Sequence, residues 1–335
     1  MNNTATNPTN DVFFLYITPI ICFFGLILNL LCILVFSKKE FKEVLFKYFK
    51  MESMFVCFIF LIKCIQPIYY CNTCELSRSY FAQFFYKYFS VYLTSVFEMS
   101  AILCQICSAS YCLNLIRKNV YNLNCSYILM AIVMVMLSGV VFLFQLFQYS
   151  INEHQIVELD ANKTIYKTET YEIINLKIVS VIEIVSFSIR DGLLSAVLIV
   201  LNIMLFVEIK RKMKQKTILL YSINTYGTKP ALNEENCEAS LNNSSKLNAE
   251  KSKNRVSIMV LLSCLNCIIG RTPILLFFVL RNFIKDDLSV LLYFAIICIY
   301  LSYSLFFFLY YTRNKLFKKI FQDYLKIIKK KLMCF

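Results

Sequence analysis

Seven long apolar blocks divide the chain, at 12–36, 44–70, 82–115, 126–149, 173–207, 256–282 and 288–312. About 20 apolar residues in a helix cross the ~30 Å hydrocarbon layer of a bilayer, where every backbone polar group must find its partner inside the protein. One soluble core has no room for seven such blocks. Composition agrees, with 59% of the 335 residues hydrophobic and 17% charged, against roughly 45–50% and about 25% in soluble domains. The pattern predicts an all-α membrane protein, a seven-transmembrane helix bundle spanning residues 12–312. The third and fifth blocks exceed the minimum length, which implies tilt or extension beyond the bilayer.

The net charge of +14 does not point to nucleic acid, because the cations follow the loops. With residues 1–11 outside, the inner segments hold 24 Lys and Arg and the outer segments 6. Positive charge concentrates on the cytoplasmic side of membrane proteins, so the amino terminus is expected outside and the tail in the cytosol of a plasma-membrane protein. The polar opening "MNNTATNPTND" lacks the basic leader of a cleavable signal, so the first block is expected to insert by itself. Two glycosylation acceptors, Asn2 and Asn162, fall on the expected outside. Of the fifteen cysteines, most lie within the blocks as small apolar residues. Cys71 and Cys74 face the oxidising side and either bond to each other or stay reduced.

Two loops are long. The outer one at 150–172 is polar, and the inner one at 209–254, rich in Asn, Ser, Glu and Lys around 221–253, is expected to be disordered. After the last block, residues 313–335 set Leu316, Phe317, Ile320, Phe321, Tyr324, Ile327 and Ile328 at helical spacing opposite lysines. Such a basic amphipathic helix is expected in the membrane interface.

Ionisable side chains inside the blocks are costly in lipid and mark candidate sites. In the third block, Lys87, Val91, Thr94, Glu98, Ala101, Gln105, Ser108 and Cys112 recur at steps of four and three, a small and polar stripe on one helical face. Glu98 is its candidate functional acid. In the fifth block, Glu183, Ser186 and Arg190 share a face while Asp191 points about 100° away, so Arg190 and Asp191 are expected to engage different helices rather than each other. Lys63 lies near the outer end of the second block and is expected to snorkel to the interface. Arg271 sits about 4.5 Å from the midpoint of the sixth block. Its guanidinium must meet a partner inside the bundle: Glu98 first, then Glu183 or Asp191. Pro273, two residues on and close to Gly270, is expected to kink the helix there.

These features resemble the rhodopsin-like G-protein-coupled receptors. Asn29 in "GLILNLLCILVF" matches that family's first-span asparagine, Pro273 its sixth-span proline, and Tyr310 the tyrosine of its seventh-span motif, with Phe317 following at the family's spacing. Tyr111 in "SYC" is the best match to the third-span Asp/Glu-Arg-Tyr. The chain departs from the family in reading "GRTP" where a tryptophan is usual, in lacking the Asn-Pro of the seventh span, and in having no cysteine in 150–172. The resemblance implies a divergent chemosensory or peptide receptor of invertebrate type. It would bind an extracellular ligand through Glu98, Glu183, Arg190, Asp191 and Arg271. It would present Arg117, Lys118, Lys210, Arg211, Lys253 and Arg255 to a heterotrimeric G protein. The alternatives are a seven-span ligand-gated channel and a decoy receptor that binds without signalling. An enzyme is not expected, since the chain has one histidine, His154, and no metalloprotease or paired-aspartate motif. Neither a cofactor nor a metal is implied.

Overall fold

A computed structural model of the chain describes residues 13–71, 75–117, 127–158, 161–170, 176–225, 235–281 and 288–332. Six helices are long and apolar enough to cross a membrane. Four of them are α1 (Phe13–Phe36), α2 (Val44–Tyr70), α3 (Tyr80–Arg117) and α7 (Ser289–Arg313). The fifth, α5, is built from Leu176–Phe187, a π-helical stretch Ser188–Leu193 and Leu194–Thr225. The sixth, α6, runs from Glu235 to Arg281. The fourth apolar block yields a shorter helix, α4 (Tyr127–Phe142), about 24 Å long at 1.5 Å per residue. It tightens at Leu143, whose N–H bonds the Val140 carbonyl three residues back, before a last turn at Phe144–Gln148. Helix α8 (Lys315–Leu332) follows α7.

The burial pattern is inverted relative to a soluble protein. Apolar side chains cover the outside, with Met136 at 65% and Phe24 at 61% exposure, while Arg271 is 1% exposed and Asp191 is fully enclosed. A surface of that kind matches a multi-pass membrane protein, because lipid rather than water is the solvent that tolerates it.

Close helix approaches rest on small residues. A Cβ at Gly25 would sit 2.5 Å from the Phe60 ring, and one at Gly270 would sit 2.5 Å from Ser302 and 3.1 Å from the Cys298 carbonyl oxygen. Gly25 thus lets α1 meet α2, and Gly270 lets α6 meet α7. Asn266 reinforces the second contact by donating to the Ser302 carbonyl at 2.6 Å. Helix α6 passes through Pro273, in the turn after Gly270.

The structure corrects two expectations. The polar outer loop carries a two-stranded antiparallel hairpin, β1 (Tyr149–Glu158) and β2 (Ala161–Thr170), paired from Tyr149↔Thr170 to Glu158↔Ala161. The chain is therefore not all-α. β-Branched residues at Ile151, Ile156, Val157, Thr164, Ile165 and Thr168 favour the pleated ribbon. Tyr166 of β2 meets the Tyr80 ring edge-on at 5.6 Å, placing the hairpin against the start of α3. The inner loop expected to be disordered is in large part helical, since α5 continues to Thr225 and α6 begins at Glu235. Helix propagation from an existing span costs far less than nucleation, and Ala, Leu, Glu and Lys in 235–254 support it. Gly227 and Pro230, the natural breakers, lie outside the described residues.

Helix α8 docks through part of its apolar stripe. Asn314 caps it by accepting from the Phe317 N–H at 3.1 Å. Phe317 is fully buried beside Phe36 and Tyr310, and Phe321 meets Phe307 at 5.2 Å. Leu325, Ile327 and Ile328 stay about half exposed.

Gly270→Ala should lower the melting temperature of the purified chain, since overpacking costs about 1–3 kcal/mol. Gly192, with nothing within 4 Å of its Cβ position, should tolerate alanine without loss. Equal melting temperatures for the two variants would contradict the close α6–α7 contact.

Candidate functional site

The polar interior is organised around one carboxylate. Asp191, on the π-helical stretch of α5, accepts from Arg190 Nη2 at 2.6 Å and Nε at 3.0 Å, and also from Arg271 Nη1 of α6. Arg190 in turn places Nη1 2.7 Å from Glu98 Oε2 of α3. Arg271 directs Nη2 to the Tyr303 hydroxyl of α7. The Tyr303 carbonyl accepts from Asn29 Nδ2 of α1 at 3.3 Å, and the same amide donates to Gly25 at 2.9 Å. One relay of side chains therefore joins α3, α5, α6, α7 and α1. Each guanidinium also rests against aromatic rings, Arg190 over Phe187 at 4.8 Å and Arg271 near Tyr303 at 5.9 Å. That contact offsets some lost hydration.

Two expectations about this cluster are corrected. Arg190 and Asp191 pair directly. The reason is the π-helical turn: with i→i+5 bonding the backbone is wider, neighbours diverge by a smaller angle, and a long guanidinium reaches back. Likewise, Arg271 does not pair with Glu98, its expected first partner. Asp191 is on the helix facing it, and Glu98 is committed to Arg190. The same wide turn occurs at Phe85–Leu93 in α3, and it interrupts the expected stripe. Lys87 is buried over the Tyr88 ring at 5.0 Å and takes no part in the relay.

Above the relay lies a cavity of about 270 Å³ between α2, α3, the Phe144–Gln148 turn, α5, α6 and α7. Lys63, Ser90, Thr94, Glu98, Gln145 and Arg190 supply its polar wall, and Phe187, Ile274, Phe278, Ile296 and Ile299 its apolar wall. Lys63 departs from expectation. Rather than snorkelling outward it turns in, donating from Nζ to the Ser90 carbonyl at 3.3 Å and the Ser90 hydroxyl at 3.4 Å. The π-helical stretches of α3 and α5 border this cavity, whereas a third, at Phe13–Ile17, does not, and wide turns of this type recur where a helix is shaped for a site.

The remaining sequence candidates are dispersed. Glu183 lies in α5, with its side chain outside the described residues. Pro273 is one turn past Gly270 in α6. Tyr310 is buried among Phe36, Phe49, Phe306 and Phe317. Tyr111 is half-buried at the inner half of α3. Arg117 pairs with Glu208 of α5 at 3.0 Å, and Lys210, Arg211 and Arg255 are exposed. Lys118 and Asn2 lie outside the described residues, as do the side chains of Lys253 and Asn162. Cys71 is disulfide-bonded, and Cys74 lies outside the described residues.

Sequence reasoning missed Tyr303 and Gln145. Tyr303 carried a usable signal, since it stands seven residues before Tyr310 and so shares its helical face. A second buried polar pair, Gln105 Nε2 donating to Glu52 Oε1 at 2.6 Å, joins the C-terminal half of α3 to α2. No group of described His, Cys, Asp and Glu side chains is arranged to hold a metal ion.

Asp191→Asn should destabilise the chain more than Glu98→Gln. The first leaves Arg271 with no carboxylate, whereas the second leaves both guanidiniums on Asp191, and breaking a buried pair costs about 3–5 kcal/mol. Thermal melts of the two variants test this, and a Glu98→Gln loss as large as that of Asp191→Asn would contradict the central place given to Asp191.

No protein-family model matches the chain, and no curated protein is significantly similar to it.

Proposed function

We propose that the chain is a ligand-activated membrane receptor of the kind its motifs resemble, a seven-span receptor that signals to a heterotrimeric G protein from the plasma membrane. In this reading α4 serves as a seventh, shorter span. The amino terminus is external, and α8 lies along the inner leaflet with its lysines toward the headgroups.

The observation that carries the reading is the relay at the floor of the cavity. Glu98 and Arg190 belong both to the cavity wall and to the chain of contacts that runs to Asp191, Arg271, Tyr303 and Asn29. A ligand that competes for Arg190 or Glu98 alters the partners left for Asp191, and therefore the seating of α6 on α5 and α7. A ligand shifts a conformational equilibrium only through its different affinity for the two states. A shared carboxylate with two guanidinium partners offers such alternatives. At the other end of α3 and α5, the Arg117–Glu208 bridge is partly solvent-exposed. A pair of that kind contributes only about 0.2–1 kcal/mol, so inner ends held by it separate readily.

Arg271→Met tests the transmission step. It removes one cation while leaving Arg190 paired with both carboxylates, so surface expression should persist. In cells reporting calcium and cyclic nucleotide, the variant should lose at least about tenfold in potency toward any activating compound, the equivalent of one to two lost charge-assisted contacts. A wild-type dose response would remove the relay from signalling. A response carried as ion current and insensitive to G-protein inhibitors would replace the receptor with a channel.

A further inference from the structure

The charges around the cavity do not balance. Lys63, Arg190 and Arg271 face only two carboxylates, Glu98 and Asp191, and both acids are already engaged by the arginines. Lys63 is left with a hydroxyl and a carbonyl of Ser90, and among the described residues no carboxylate lies within 4.0 Å of its ammonium. A cation inside an apolar bundle with no carboxylate in direct contact is costly, and an anion that joins it lowers that cost. The same cavity is also lined by Phe187, Phe278, Ile296 and Ile299, with the Phe187 and Phe278 rings stacked at 5.2 Å. Gln145 lines it too, 2% exposed, its side-chain oxygen without a hydrogen-bond partner among the described residues. A buried acceptor left unsatisfied costs about 1–3 kcal/mol, which a donor on a bound molecule would recover.

We propose that this cavity binds a small monocarboxylate with an apolar body. Its carboxylate sits on Lys63, its body lies between Phe187 and Ile299, and a hydroxyl or N–H on the body donates to Gln145. The inference rests on the reading of the cavity as a ligand site and adds the chemical class of the ligand. One anionic charge matches Lys63, the cation of the cavity wall that makes no ion pair among the described residues. A cationic ligand would add to that positive charge, and a neutral one would leave Lys63 as it is.

The test uses the purified full-length chain in nanodiscs of neutral lipid, with thermal melting as the readout. The probes are indole-3-acetate, 4-hydroxyphenylacetate and octanoate, each compared with its own primary amide, which has the same body and no charge. The acids should raise the melting temperature at concentrations at least about tenfold below those their amides need, the margin of one charge-assisted hydrogen bond. Lys63→Met should abolish that preference. If Lys63→Met does not fold, Lys63→Gln carries the same expectation and Lys63→Arg should keep the preference. Gln145→Leu should weaken the two donor-bearing acids and spare octanoate. The proposal is overturned if all three acids bind no better than their amides, or if the preference survives the loss of the Lys63 charge. Acid binding without nucleotide exchange on a co-reconstituted heterotrimer would uphold the ligand class and remove the receptor reading. Exchange driven by compounds with no acid preference would do the reverse.

Discussion

The Asp191 carboxylate is shared by Arg190 and Arg271, and the bundle interior depends on that sharing. Two guanidiniums enclosed among apolar helices are each too costly to leave unpaired. Asp191 lets both remain by standing between α5 and α6. From it the contacts run outward in two directions, through Arg190 to Glu98 of α3 and through Arg271 to Tyr303 of α7. Buried ions of this kind contribute little net stability but reject wrong registers, because a slip of one residue strands a charge. The relay therefore specifies how the helices sit against one another, while Gly25, Gly270 and the aromatic contacts supply closeness.

That arrangement places the cavity wall and the ion-pair relay in the same residues. Glu98 and Arg190 are cavity wall on one side and relay on the other. Apart from the relay, the Glu52–Gln105 pair joins α2 to α3, and the Arg117–Glu208 bridge joins the C-terminal end of α3 to α5. These polar contacts differ in exposure. The deep contacts are enclosed and hard to break, and the last one is half in water and weak.

Much of this was legible in the sequence. Apolar blocks of membrane length located six long helices and a shorter one, because in lipid the backbone has few alternatives to a helix. Depth alone identified Arg271 as a residue in need of a partner, and four of the expected ligand or switch residues (Glu98, Arg190, Asp191 and Arg271) meet in one network. The pairing within it was not legible. Angular arguments assume 100° per residue, and the π-helical stretches at Phe85–Leu93 and Ser188–Leu193 break that assumption where it matters most. Those turns leave no compositional mark. Lys63 was misread for a different reason: distance from the helix end describes how far a lysine can reach, not whether a cavity is waiting on the inner side. The hairpin at 149–170 was hidden by a polar composition that obscured its β-branched residues, and its partner surface at Tyr80 is distant in sequence.

The most direct test of the shared carboxylate is a double-mutant cycle on the full-length chain, pairing Arg271→Met with Asp191→Asn and, separately, with Glu98→Gln. Residues in direct contact couple by roughly 0.5–3 kcal/mol, whereas those acting through a third group couple less. The account predicts strong coupling between Arg271 and Asp191 and weak coupling between Arg271 and Glu98. Additive losses for the Arg271–Asp191 pair, or stronger coupling to Glu98, would contradict it.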